Sequence, residues 1–258
     1  MKERSTPEVW RTALTRIGPG RIELRGVDIA RVMREMTFAD GIYLMLRGEV
    51  PSPAHSRVMN AILSSSIDHG LTPPSSLATR AVVSGGNPLN AAVAGGILTI
   101  GESHGGAIEA CARMLQEAVG SSAGAPAGET AAGLIKRLRE EKRRMPGFGH
   151  RLHNPDPRSV ALFGIAEDEG VSGAHVVLAR AIEDELAAQT GRALPVNVDG
   201  AIAAVISDMG FDWRLGKGFF IISRTPGLVA HAFEERTREK PMRRMLTFET
   251  EYDGPEGE

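Results

Sequence analysis

The sequence is short of cysteine, aromatic residues, long apolar runs and surplus positive charge. Its single cysteine, Cys111, excludes a disulfide framework and a cysteine-built zinc site, and it fits a reducing compartment. The most apolar stretch, Ala91 to Ile100, has about half of the ~20 residues that a membrane-spanning helix needs. The opening Met1-Lys2-Glu3-Arg4-Ser5 lacks the apolar run of a signal peptide, so a cytoplasmic protein with no membrane partner is expected. Thirty Lys and Arg stand against 32 Asp and Glu, a net charge of -2, so no basic field points to nucleic acid. Several signatures are missing too. There is no glycine fingerprint after a strand, no P-loop and no H-x-x-x-H pair, so no metal centre is expected.

What is present reads as a packed helical protein. The 258 residues suffice for one large domain or two modest ones, and 42% hydrophobic with 24% charged residues excludes general disorder. Aromatic residues are only 5%, while Ala, Leu, Met and Arg are frequent, which favours helix over sheet. Helix punctuation recurs. Asp28 caps a helix with Ile29, Val32, Met33 and Met36 on one face. Thr37-Phe38-Ala39-Asp40 reads as a capping box, followed by Ile42 to Leu46 and a stop at Gly48. Ser52-Pro53 starts a helix with Val58, Met59, Ile62, Leu63 and Ile67 inward, and Asn87-Pro88 starts another. Thr130 opens a helix that ends in the basic run Lys136 to Arg144, and Asp156-Pro157 repeats the cap-then-proline signal. Further helices are expected after Gly173, near Pro195–Asp199, and from about Pro226 to Arg238. No useful stretch alternates with period two, so the fold class is all-α. Gly120 to Gly128 reads as a mobile loop, and the acidic tail Glu249 to Glu258 as frayed.

Four of the seven histidines have unusual neighbours. In Ser103-His104-Gly105-Gly106-Ala107 two glycines let the backbone approach a ligand, though a plain helix-start turn reads the same way. In Pro146-Gly147-Phe148-Gly149-His150-Arg151, Gly147 and Gly149 flank a loop histidine. His153, Asp156, Pro157 and Arg158 follow. An arginine at a helix N-terminus opposes the dipole, which makes sense if it shares a bound anion with the free N–H groups. His69, in Asp68-His69-Gly70, ends an apolar helix, where the dipole alone could account for it. Asp199, in Asn197-Val198-Asp199-Gly200, is either a helix cap or a buried base, and spacing favours the cap. Arg224 follows the apolar run Phe219–Ile222 and calls for an anionic partner.

Taken in order, these segments resemble the citrate synthase superfamily. The matching pieces are Arg25-Gly26-Val27-Asp28-Ile29, Leu46-Arg47-Gly48-Glu49-Val50-Pro51, Asp68-His69-Gly70 and the His104 turn. The His150 turn with Asp156-Pro157-Arg158, then Asn197-Val198-Asp199, and Ser223-Arg224-Thr225-Pro226-Gly227 with Ala230-His231 complete the set. The resemblance runs from about residue 21 to 245, nearly the whole chain. It implies an all-α homodimer, or a dimer of dimers, with a large domain (1–105 and 212–258) and a small domain (106–211) closing over the substrate. It further implies His104, His150 and Asp199 as the catalytic trio and His69, Arg158 and Arg224 as holders of the organic acid. Arg243 or Arg244, with Arg244 preferred, would reach the partner subunit. Gly105, Gly106, Gly147 and Gly149 would let the backbone meet a coenzyme A thioester, which is the substrate; no permanently bound cofactor is expected. Lys136, Arg137, Arg139, Lys142, Arg143 and Arg144 could help hold its phosphates, or form only a solvated helix end.

Ordinary members carry a long helical segment where only Ser52 to Ile67 lies here, and this short form resembles citryl-CoA lyase. The run Asn197-Val198-Asp199-Gly200-Ala201-Ile202 is similar to the lyase module of ATP-citrate lyase, whereas His104 is a synthase feature. The resemblance therefore implies cleavage of citryl-CoA to acetyl-CoA and oxaloacetate. The alternatives are a short citrate or 2-methylcitrate synthase acting on an acyl-CoA and a 2-oxo acid, and a non-catalytic CoA-binding subunit.

Overall fold

A computed structural model describes residues 10–150, 153–244 and 254. The described chain is mostly helical, as the composition predicts, with eleven α-helices among those residues. It begins, however, with a small antiparallel sheet, β1 (Thr15–Gly18), β2 (Arg21–Leu24) and β3 (Val27–Asp28), in the order β1-β2-β3. Each strand is four residues or fewer, too short for a period-two pattern to show in the sequence.

The capping signals translate into helices closely. Asp28 accepts from the Ala30 and Arg31 N–H groups and starts α1 (Ile29–Glu35). Thr37 and Asp40 form the reciprocal capping box of α2 (Phe38–Arg47), which Gly48 ends in the left-handed conformation at φ 86°. Next come α3 (Pro53–Ser65), α4 (Pro74–Ser84) and α5 (Leu89–Leu98). Then follow α6 (Ala107–Ser121), α7 (Ala127–Glu140), α8 (Pro157–Asp168) and α9 (Ala174–Thr190). The last two are α10 (Val198–Asp208) and α11 (Gly216–Arg238).

Some expectations need correction. Helix α7 opens at Ala127 rather than Thr130, and α6 runs to Ser121, so the loop within the small-residue stretch is Ser122 to Pro126. Ile67 lies beyond the end of α3 and is 48% exposed, not inward. Helix α11 begins ten residues before Pro226. That proline sits inside it, and the apolar run Phe219–Ile222 is its first half. The acidic tail lies outside the described residues apart from Gly254.

The chain divides into two compact units. Unit 1 comprises Met1–Ser65 and Ile108–Gly216; unit 2 comprises Ser66–Ala107 and Lys217–Glu258. Within unit 1, α10 is the centre. Nine of its eleven residues are buried, and it packs on α8 and α9, while α7 lies on α9 and α3 on α2 and α8. Full burial explains why α10 shows no amphipathic stripe. Asp208, at its end, accepts from the Gly173, His175 and Val176 N–H groups and so caps α9 from across the core. Within unit 2, α4 and α5 form an antiparallel pair in close contact. A Cβ on Gly96 would sit 2.1 Å from Thr79 Oγ1, so only glycine fits there.

Candidate active site

In unit 1 two sequence motifs are joined backbone to backbone. Gly149 N–H donates to Pro195 O at 2.7 Å, Asn197 N–H donates to Gly147 O at 3.0 Å, and Phe148 bridges Val196 antiparallel. The Asn197 side chain closes the join by donating from Nδ2 to Gly149 O at 2.8 Å. Two glycines make this approach possible. A Cβ on Gly147 would stand 2.6 Å from Gly200 Cα, and one on Gly200 would stand 2.3 Å from Gly147 O. The His150 turn is thereby fixed to the start of α10, which carries Asp199.

The helix cap of α10 is Asn197, whose Oδ1 accepts from the Asp199 and Gly200 N–H groups at 3.0 and 3.2 Å. Asp199 is therefore not the cap that spacing favours; it lies one residue inside the first turn, partly buried. Asp156 is the other node. It caps α8, accepts from Val198 N–H at 3.1 Å, and takes Arg158 in a forked pair at 3.0 and 2.9 Å. The anion that Arg158 calls for is thus supplied by its own helix cap, so no bound anion is needed to explain an arginine at that position.

His150 Nδ1 accepts from His153 N–H at 3.1 Å, which puts the proton of the neutral ring on Nε2. Burial lowers the His150 pKa below the ordinary 6.5. The Asp156 charge works against this, and His153 and Arg158 add to the lowering. Cys111 is fully buried against Gly147. Burial first, and the Asp199 charge second, push its thiol far up, so it remains a thiol beside the carboxylate.

In unit 2 a second turn presents His104. His104 N–H donates to Gly101 O at 3.1 Å. A Cβ on Gly106 would lie 2.7 Å from Glu102 Cα, and Gly105, at φ +84°, lies against Phe220. His104 Nε2 is 2.9 Å from Ser75 Oγ, a fully buried hydroxyl on α4. The ring meets Phe220 edge-on at 5.4 Å, and the Arg224 guanidinium covers the same Phe220 at 4.9 Å. Burial and then the Arg224 charge lower the His104 pKa, so this imidazole too is neutral at pH 7. Arg224 Nε donates to Ser66 O at 3.0 Å, just ahead of the exposed Asp68-His69-Gly70 turn. Arg243 is tied to Glu235 at 2.6 and 2.7 Å, whereas Arg244 is exposed.

Unit 1 thus brings together His150, Asp199, Arg158, Gly147 and Gly149. Unit 2 brings together His104, Gly105, Gly106, His69 and Arg224. Of the basic run, Arg139 bonds Gln189 and Arg143 bonds Glu141. Ser75 was not singled out from the sequence, because a buried serine in a helix has no local signature. Among the described residues no group of three or more His, Cys, Asp or Glu could hold a metal ion, and no helix is long and apolar enough to cross a membrane.

Comparison with known proteins places these turns in context. The model of the citrate synthase C-terminal domain matches residues 25–245. Citrate synthase 2 of Bacillus subtilis is 28% identical over 235 residues, covering 90% of this chain and 60% of that protein. Probable ATP-citrate synthase subunit 1 of Schizosaccharomyces pombe is 26% identical over 237 residues, covering 84% of this chain and 37% of that protein. The chain thus spans 60% or less of the length of these two curated relatives. Among solved structures, citryl-CoA lyase from Hydrogenobacter thermophilus superposes with a TM-score of 0.90 at 44% identity, covering 97% of each chain.

Proposed function

The chain belongs to the citrate synthase family, and we propose on that premise that it is an enzyme cleaving citryl-CoA to acetyl-CoA and oxaloacetate. The observation that carries this reading is the full-length match to a citryl-CoA lyase, together with two histidines that are both held neutral.

The chemistry requires groups of this kind. Breaking the carbon–carbon bond of citryl-CoA leaves a keto group on one fragment and an acetyl-CoA enolate on the other. In cleavage neutral His150 takes the tertiary hydroxyl proton on Nδ1, its one lone pair, as the His153 N–H contact opens, and in condensation the imidazolium returns that proton. With the Ser75 O–H donating to Nε2, the His104 proton sits on Nδ1 and supplies a hydrogen bond to the enolate oxygen. One such donor is typically worth ~3–4 kcal/mol in the transition state. Asp199, starting protonated, delivers its proton to the enolate carbon and so forms the methyl group. Each step is the reverse of one in citrate formation, so one trio serves both directions.

Within the same reading His69, Arg158 and Arg224 hold the carboxylates of the organic acid. Arg158 already gives its fork to Asp156, so it acts with that carboxylate as a rigid unit. The glycines at 105, 106, 147 and 149 leave room for the CoA thioester, and Arg244 is the arginine offered to a partner subunit. A homodimer, or a dimer of dimers, is supported by exposed apolar side chains on unit 2, with Leu98 at 84% and Phe233 at 67% exposure. By the same reading a large domain of 1–105 with 212–258 and a small domain of 106–211 close over the substrate. That division and the two packing units both cut the chain near residues 105–108 and 211–217 and differ in where the first 65 residues go. A cytoplasmic location belongs to the same proposal.

Separate incubations with citryl-CoA and with acetyl-CoA plus oxaloacetate test the proposal. Acetyl-CoA released from citryl-CoA marks the lyase. Free CoA released from the second mixture marks a synthase and overturns the first choice. No product from either leaves a non-catalytic CoA-binding subunit.

A further inference from the structure

The face of α11 that bears Arg224 continues as Gly227, His231 and Glu235, at i, i+3, i+7 and i+11. Each of these residues supports the segment leading to His69. Arg224 Nε donates to Ser66 O at 3.0 Å. A Cβ on Gly227 would stand 2.3 Å from Ile67 O, so that carbonyl rests against bare backbone. His231 Nε2 is 2.8 Å from Asp68 Oδ1. Behind it, Glu235 accepts from Arg80 Nη1 at 2.9 Å, and Arg80 Nε donates to His231 Nδ1 at 3.2 Å.

The direction of these bonds fixes the imidazole. A guanidinium only donates, so His231 Nδ1 is an acceptor, and the proton of the neutral ring lies on Nε2, aimed at Asp68. The other Asp68 oxygen accepts from Gly70 N–H at 2.9 Å, a turn that encloses His69, with Gly70 at φ +75°. Burial works to raise the Asp68 pKa, but hydrogen bonds from Gly70, His231 and His69 N–H outweigh it and keep the group ionised. Arg80, His231 and Glu235 are buried, while the Asp68 side chain is 42% exposed. A rigid interior group is therefore coupled to a surface turn through one imidazole.

We propose that His231 is a positioning residue, transmitting the fixed place of Arg80 to Asp68 so that the Asp68–Gly70 turn holds His69 ready for the organic acid. The inference rests on the reading of His69 as an acid-binding residue.

Three variants test it: His231→Ala, His231→Gln, whose amide can still donate to Asp68, and Asp68→Ala, which loosens the turn without disturbing buried Arg80. Amide exchange at Gly70 is expected to accelerate in His231→Ala and Asp68→Ala and to recover in His231→Gln. The Kd for oxaloacetate is expected to rise about tenfold in the first two, the scale found for groups that orient metal-binding histidines, while kcat changes little. Nitrogen-15 NMR of the wild-type imidazole should show the proton on Nε2. A proton on Nδ1, or unchanged Gly70 protection in both truncations, overturns the inference. So does an unchanged Kd in both while the wild type binds oxaloacetate. A wild type that neither binds oxaloacetate nor cleaves citryl-CoA removes the functional reading. The Gly70 exchange and the tautomer then decide the positioning claim alone, faster exchange in both truncations sustaining it.

Discussion

The two histidine-bearing turns use the same device, glycines that bring backbone against backbone, yet they are held in different ways. The His150 turn in unit 1 is joined by main-chain hydrogen bonds to the start of α10, with Gly147 packed directly on Gly200. The His104 turn in unit 2 depends more on side chains, with Ser75 on its ring nitrogen and Phe220 and Arg224 beside it. Both end with a neutral imidazole. For His150, burial is opposed by Asp156 and assisted by His153 and Arg158; for His104, burial is assisted by Arg224. One protonation state reached by two sets of neighbours points to neutrality as the property the chemistry needs.

The strongest test of this contrast removes the proposed reacting groups. Asp199→Asn is expected to reduce exchange of acetyl-CoA methyl protons with solvent to background, a loss of ~10²–10⁴-fold for a general base. His150→Ala should lose at least ~100-fold in turnover with an unchanged circular dichroism spectrum. Persistent exchange or turnover would assign those roles to other residues.

A backbone lock should respond to one added methyl group. Gly200→Ala places a Cβ 2.3 Å from Gly147 O, so denaturant unfolding should show a loss of ~1–3 kcal/mol, as for overpacked cores. Gly164→Ala in α8, with nothing within 4 Å, should show none and serves as its control. A side-chain support should respond more mildly. Ser75→Ala removes one hydrogen bond, a net effect of ~1 kcal/mol, so turnover should fall about fivefold with folding intact. Turnover unchanged from wild type would show that His104 needs no such support.

The smallest effect is the pH dependence. Both imidazoles have folded pKa values below 6.5, so the unfolded chain binds protons that the folded chain refuses as the pH drops. Their contribution to stability is complete above about 6.5 and is lost below it. The acid limb of kcat/KM should lie below 6.5 as well. An acid limb above that value would mean that a protonated imidazole is not what stops the reaction.

The same contrast shows what a sequence can carry. Caps are local, so Asp28, the Thr37–Asp40 box, Gly48 and Asp156 could be read directly, and each is where it was expected. Glycine beside histidine was legible as room for a close approach, and the packing of Gly147 on Gly200 supplies the reason. What could not be read depends on distant partners. Asn197 takes the cap because its side chain reaches two N–H groups, leaving Asp199 inside the helix. The proline at 226 reads as a start, yet α11 passes through it, with Phe219 and Leu228 buried on either side. Ser75 and His231 acquire meaning only when α4 and α11 bring them to His104 and Asp68.

The most direct test of the central claim is mass analysis of the products of citryl-CoA cleaved in deuterated water. The account predicts oxaloacetate and acetyl-CoA carrying one deuterium in the methyl group, placed there by Asp199. Citrate and free CoA, or acetyl-CoA with no deuterium, would contradict it.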